Sequence, residues 1–249
     1  MPLENILSIN QIIRRLTEGT TEPFLCECDD GHKYVVKGQP RMTRKELMAE
    51  WISAGLAESL GLSIPGFGLV YIQPELIAYA KSEWRDDLRE GHAFACQFIE
   101  PSTPINFYQA HTVVNKQSRK FIYLFDKWVN NADRTLAFNG LGNVNMLFSL
   151  FSNQYYLIDH NLAFYKDYNQ VEFQTHVYCP DNRDWTYDMV DRIAFRDSLQ
   201  DALQDFDSLI DTIPDDWILD NECAQNDYIA YMKATIERVV NDDFWSEIE

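Results

Sequence analysis

The chain has 249 residues, 46% hydrophobic and 14% aromatic, which is ample for a sizeable core and excludes a disordered chain. Its formal charge of −18 is concentrated late: from Asp181 to Glu249 there are 19 acidic and 5 basic residues, a net of −14. Such a field repels nucleic-acid phosphates, no apolar run approaches a membrane span, and the opening MPLENILSIN carries acid where a secretory signal carries base. The expectation is a soluble, cytoplasmic protein with neither a nucleic-acid nor a membrane partner. The acidic tail would attract a basic partner or substrate; a solvated acidic helical surface is the plainer alternative. Five scattered cysteines, Cys26, Cys28, Cys96, Cys179 and Cys223, contain no CxxC pair and predict reduced, mostly buried thiols.

In chain order, the segment up to Leu16 alternates enough for a strand or short helix, and TEGTTEP (Thr17 to Pro23) breaks it. FLCEC, DDGH and KYVVKG read as strand, turn and strand, with Asp30-Gly31 as the hairpin signal. Lys37 closes the second strand; on the face of Val35 it would set a cation at the edge of a buried surface, and otherwise it is a solubilising edge lysine. Thr43 and Glu46 form a capping box before a helix with apolar positions Met48, Ile52, Leu56 and Leu60, stopped by Gly61 and Pro65. Glu46 is thereby explained, whereas Glu50 has no capping duty and is free to pair with a cation from the sheet; an ordinary exposed helix glutamate is the plainer alternative. IPGFGLVYI, ELIAYA and HAFACQFIE read as further strands of an antiparallel sheet, and WRDDLREG as a loop or short helix.

Composition shifts from strand-rich to helix-rich near Pro101, predicting an α+β chain of two lobes: 1–100 with a sheet and one helix, and 101–249, mainly helical. Phe121, Leu124, Phe125, Trp128 and Val129 mark a buried amphipathic helix. MLFSLF and YYLI, joined through Ser152-Asn153, predict a hairpin that brings Asn145 and Asp159 together at its open end. Leu199, Leu203, Phe206 and Ile210 form one later stripe, and Tyr228, Met232, Ile236 and Val239 another, with Pro214 between.

The stretch from Asn131 to Asp159 carries the chemistry. Asn131, Asp133 and Arg134 form one polar knot, Gly142, Asn143 and Asn145 a second, and Asp159 follows the apolar YYLI. A carboxylate, a carboxamide and a second carboxylate in that order can take a proton from a hydroxyl and hold a hard metal ion, which phosphoryl transfer requires. The competing reading is a surface Asp133–Arg134 ion pair among turn-forming asparagines.

The segments TEGTTEP, GHKYVVKG, AEWISAGLAESLGLSIPGFGLVYI, FDKWVNNADRT, GNVNMLF and LIDHNLAF, in this order, resemble the HipA-like kinases, in particular the short form consisting of the kinase domain alone. The resemblance implies a two-lobed protein-kinase-like fold and an ATP- and magnesium-dependent enzyme acting on serine or threonine of a protein. Lys37 matches the strand lysine that contacts nucleotide phosphates, Glu50 its helix partner, Asp133 the catalytic-loop aspartate, and Asn145 and Asp159 the metal ligands. Gly19, Thr20 and Thr21 would cover the phosphates, and Phe98, Ile99 and Glu100, following Gln97, would form the hinge that reads adenine. The family's connection with toxin–antitoxin systems implies a growth-arresting toxin or defence factor with an antitoxin partner and autophosphorylation. Thr20 and Thr21 lie in the loop expected to cover the phosphates, so phosphate placed on either would add negative charge beside the nucleotide and oppose its binding. Three departures stand out. Asp133 and Asn145 are twelve residues apart instead of the five of ordinary protein kinases, which leaves Asn139 and Asn143 as rival ligands. Asp159-His160-Asn161 replaces Asp-Phe-Gly, and the covering loop has a single glycine. A nucleotide-binding pseudokinase or interaction module is therefore the alternative of another class, followed by a lipid or small-molecule kinase.

Overall fold

The computed structural model describes residues 6–17, 19–137, 139–166 and 170–248. Five strands close into a barrel in the order β1 (Leu7–Arg15), β2 (Phe24–Cys28), β3 (Lys33–Lys37), β5 (Gly91–Gln97) and β4 (Phe67–Ile72). All pairings are antiparallel except β1 with β4, a short parallel contact at Leu7–Val70 and Ser8–Tyr71 that completes the closure. The simple antiparallel sheet expected from sequence is thus corrected to a barrel, and β3 is a central strand between β2 and β5, not an edge.

Strand parity decides where each side chain goes. Phe24, Cys26, Cys28, Tyr34, Val36, Val70, Ile72, Ala93 and Ala95 fill the barrel. Lys37, next to Val36, consequently lies on the outer face with Phe67 and Phe94, which belong to the main core. That face is covered by α1 (Arg44–Ser59), which begins with the expected capping box: Glu46 N–H donates to Thr43 Oγ1 at 3.2 Å and Thr43 N–H to Glu46 Oε2 at 2.7 Å.

ELIAYA is a helix, α2 (Pro74–Tyr79), and not a strand. Pro74 at its first turn donates no hydrogen bond there in any case and has a pre-set φ, so it starts a helix and could not have joined a central strand. After the barrel, β6 (Ser102–Pro104) pairs with β7 (Met146–Ser149), and β7 with β8 (Gln154–Leu157), in a separate three-stranded sheet. Between them run α3 (Phe107–Thr112) and α4 (Lys116–Trp128), the latter capped by Asn115 and buried along the expected aromatic stripe. The chain then forms α5 (Met189–Leu203), α6 (Phe206–Asp211), α7 (Glu222–Glu237) and α8 (Asp242–Glu247). The single stripe from Leu199 to Ile210 is divided between α5 and α6. The bend serves packing: Leu209 Cδ2 lies 2.4 Å from where a Cβ on Gly55 would stand, so α6 sits directly on the backbone of α1.

The α1 helix is consequently buried from Leu47 to Ala57 on every side, including Glu50 and Ser53. Barrel strands hold one face and the C-terminal segment the other: Trp51 Nε1 donates to Thr212 Oγ1 at 3.0 Å, and Arg44 Nη1 to Asp220 Oδ1 at 2.7 Å. Nearby, Asp216 Oδ2 accepts His92 N–H at 2.6 Å and Trp217 Nε1 donates to His92 O at 3.0 Å. Gly91 permits this approach, because its φ is +129° and a Cβ there would lie 2.3 Å from Asp216 Oδ2. Among the described residues no helix is long and apolar enough to cross a membrane.

Candidate active site

Two polar clusters meet where the barrel faces the helical part. In the first, Lys37 Nζ donates to Glu50 Oε2 at 3.0 Å and to Asp159 Oδ1 at 2.7 Å. Lys37 is 6% exposed and Glu50 2%, so neither charge is solvated and each depends on its partner. Burial works against the Lys37 ammonium, but Asp159 and Glu50 outweigh it and raise its pKa. Burial likewise raises the Glu50 carboxyl, partly offset by Lys37, whereas at Asp159 the lysine overcomes burial and lowers the pKa.

In the second cluster, Asn145 Nδ2 donates to Asp133 Oδ2 at 2.8 Å. Asn145 immediately precedes β7, Asp159 closely follows β8, and Ile158 N–H donates to Asn145 O at 3.0 Å, so the hairpin does bring the two together. Both adopt left-handed backbone, φ +48° at Asn145 and +61° at Asp159, a conformation that Asn and Asp tolerate better than other side chains. Gly142 is required just upstream: at φ +110°, a Cβ would come within 2.5 Å of Thr135 O. Burial raises the Asp133 carboxyl pKa, the Asn145 hydrogen bond opposing it.

The three candidate asparagines are not equivalent. Asn139 Oδ1 accepts Leu141 N–H and Asn143 Oδ1 accepts Asn145 N–H, both local turn contacts at 3.1 Å. Asn145 Oδ1, in contrast, is buried without a hydrogen-bond partner.

Arg134 does not pair with Asp133 at the surface; it is fully buried and binds Asp126 of α4, with Nε to Asp126 Oδ2 at 2.7 Å. Asp126 also accepts from Asn131 Nδ2 at 2.9 Å and from His176 Nε2 at 3.1 Å. Tyr178 N–H donates to His176 Nδ1, which fixes Nε2 as the protonated nitrogen. Burial would raise the Asp126 pKa, but Arg134 and His176 drive it well below the carboxylate range. The other guanidinium nitrogens reach across the site: Nη1 donates to Asn145 O at 2.6 Å, and Nη2 to His160 Nε2 at 3.3 Å. His160 in turn donates its backbone N–H to Glu50 Oε2 at 3.1 Å. Asp126 and His176 join the candidate site without having been singled out in the sequence, where His160 stood out only as a departure from Asp-Phe-Gly; the available signal was a lone carboxylate beside Phe125 in a helix rich in buried aromatics.

The covering loop and hinge are more loosely placed. Thr21 lines a cleft with Pro23, Val36, Lys37, Gly38 and Arg41. Gly19 takes φ +88°, and exposed Thr20 offers its carbonyl to Arg41 Nη2 at 3.4 Å. At the hinge, Phe98 N–H is committed to Lys33 O at 2.9 Å, Ile99 O accepts Ser102 Oγ at 2.6 Å, and Glu100 forms an exposed pair with Lys33 at 2.9 Å.

A β-barrel lobe and a helical lobe, with a buried Lys–Glu pair above a carboxylate loop and a short hairpin, define a two-lobed kinase fold. The chain belongs to the HipA-like kinase family, whose sequence profile matches residues 9–248. Among solved structures it is similar to the Helicobacter pylori proinflammatory kinase CtkA, with 12% identity, a TM-score of 0.58, and 97% of this chain and 96% of that one covered. It is also similar to the Golgi casein kinase, with 14% identity, a TM-score of 0.53, and coverage of 99% and 71% respectively. No curated protein matches the sequence.

Proposed function

We propose that this chain transfers the γ-phosphoryl group of ATP to a serine or threonine hydroxyl of a protein, with magnesium as the metal. The observation that carries the reading is Asn145: its amide nitrogen holds Asp133 at 2.8 Å, while its buried oxygen lacks a partner inside the protein. An unsatisfied buried oxygen costs about 1–3 kcal/mol, a cost relieved if a ligand takes it up. With Asp159 it offers hard oxygen donors of the kind magnesium prefers, few enough that phosphates and waters complete the shell. Asn145 and Asp159 would hold the ion, which when bound neutralises charge on the phosphate oxygens. This favours Asn145 over Asn139 and Asn143, whose oxygens serve turns.

Asp133 is the proton acceptor. As the hydroxyl oxygen bonds to the γ-phosphorus and the bond to the β,γ-bridging oxygen breaks, its proton passes to the Asp133 carboxylate. Partial burial raises the basicity of that carboxylate. Lys37, held between Glu50 and Asp159, presents a fixed cation at the wall of the cleft under Thr21. Phe98 to Glu100 would meet the adenine edge through backbone groups. The acidic C-terminal surface suits a basic protein substrate.

Purified protein with magnesium and γ-labelled ATP is expected to label itself or added basic proteins on serine or threonine, including Thr20 or Thr21. Asp133→Ala should lower transfer at least about a thousandfold with little change in melting temperature. The family likeness further suggests growth arrest on expression of the wild-type chain, relieved by Asp133→Ala and by an antitoxin partner. Label that persists in Asp133→Ala sinks the assignment. A nucleotide-dependent rise in melting temperature with ATP left intact would instead identify a binding module.

A further inference from the structure

His160 occupies the position next to Asp159 where a phenylalanine stands in ordinary protein kinases, and its surroundings give the imidazole a task that a phenyl ring cannot perform. Its ring packs edge-on against Phe125 at 5.9 Å between centroids, a contact any aromatic would make. Its nitrogen does more. Arg134 is permanently protonated, so the 3.3 Å contact requires Nε2 to be the acceptor and the ring to be neutral. The same residue's backbone N–H holds Glu50 Oε2 at 3.1 Å.

Arg134 is itself the junction of the lower site. Besides Asp126, it binds the carbonyl of Asn145 at 2.6 Å, and Asn145 holds Asp133 at 2.8 Å. A continuous hydrogen-bonded path therefore runs from Lys37 through Glu50, His160, Arg134 and Asn145 to Asp133. His160 is the step at which the path passes from the barrel-side cluster to the catalytic loop.

We propose that His160 is a positioning residue that couples the Lys37–Glu50–Asp159 cluster to the Arg134–Asn145–Asp133 cluster, so that the two assemble as one unit. Its effect on turnover rests on the kinase reading above; the coupling itself is a property of the free protein. Replacing the imidazole with a phenyl ring keeps the packing and strands one buried Arg134 N–H. A glutamine side chain restores an acceptor of comparable reach.

Both variants are made in the full chain. His160→Phe is expected to melt roughly 5 °C below wild type, and His160→Gln within about 2 °C of it. In phosphotransfer, His160→Phe should lower kcat roughly 10–100-fold with KM for ATP changed less than about threefold, and His160→Gln should recover most of the rate. In ligand-free protein, Glu50→Gln and Arg134→Lys should be non-additive in their effects on the unfolding midpoint in the wild-type background and additive with His160→Phe. Additivity in the wild-type background, or indistinguishable Phe and Gln variants, overturns the inference whether or not the protein turns over ATP. That cycle in the wild-type background also decides the matter if His160→Phe does not fold. Absence of turnover with the cycle intact would count against the kinase reading and leave the coupling standing.

Discussion

The molecule contains two networks of arginine and carboxylate that differ mainly in their distance from water. The first joins Arg134, Asp126, His176, Asn131 and His160 with no exposure at Arg134, Asp126 or His176. The second joins Arg15, Glu22, Arg41 and Asp87 around the covering loop: Arg41 reaches Glu22 at 2.7 Å and Asp87 at 3.6 Å, Arg15 reaches Glu22 at 3.4 Å, and Arg15 also pairs with Asp87. Its four side chains are a fifth to a third exposed. A buried network tolerates no vacancy, because every lost partner leaves a charge that water cannot reach. A wet network can exchange partners at small cost. The first thus suits a loop whose geometry is fixed, and the second a segment that can rearrange its ion pairs.

Removing one member from each network tests that contrast most directly. Asp126→Asn leaves the guanidinium of Arg134 without a counter-charge in a fully buried site, and the expected loss is about 3–5 kcal/mol in urea unfolding, enough to prevent folding of a marginal domain. Asp87→Asn, in the partly exposed network, should cost no more than about 1 kcal/mol. Equal losses would remove the distinction between the two networks.

The same contrast explains what could be read from sequence. Features with local causes were legible: the Asp30-Gly31 hairpin, the Thr43–Glu46 capping box, the aromatic stripe of α4, and the hairpin that joins Asn145 to Asp159. Lys37 and Glu50 each had a plainer local reading, an edge lysine and an exposed helix glutamate, and the structure instead buries both and pairs them at 3.0 Å. Contacts between distant segments left no such trace. The parallel β1–β4 contact that closes the barrel joins strands far apart in sequence. The break between α5 and α6 follows from the fit of Leu209 onto Gly55, and the pairing of Asp126 with His176 spans 50 residues. ELIAYA failed for another reason: a short apolar run fits either helix or strand, and only its proline-bearing start decides the matter.

Acid sharpens the comparison by a second route. Burial and then the Arg134 charge push the His160 pKa down from 6.5 to about 3, and burial also lowers His176. An unfolded chain protonates these rings near pH 6.5, whereas the folded one excludes the proton until near pH 3 at His160. The unfolded state therefore binds more protons in that window, and stability contributed by the neutral ring is present above pH 6.5 and lost as pH falls toward 3. Wild type should lose stability relative to His160→Gln on acidification, with a difference slope approaching about 1.4 kcal/mol per pH unit. Urea midpoints collected from pH 7 to pH 5 measure it; parallel curves would mean that the folded protein admits the proton.

The smallest expected effect belongs to the wet network itself. Glu22 lies in the loop at φ +42° and accepts Arg41 while facing Arg15, so Glu22→Gln removes the charge that both arginines share without changing the side chain's size. A loss of about 0.7 kcal/mol in local stability would raise the open population of the loop about threefold, which limited proteolysis between Leu16 and Pro23 can detect. Global unfolding should hardly change. Because the Debye length falls to about 3 Å in 1 M salt, the difference between Glu22→Gln and wild type should vanish there, whereas the effect of Asp126→Asn should persist. A salt-insensitive Glu22→Gln would mean that the loop is held by packing and that its charges are incidental.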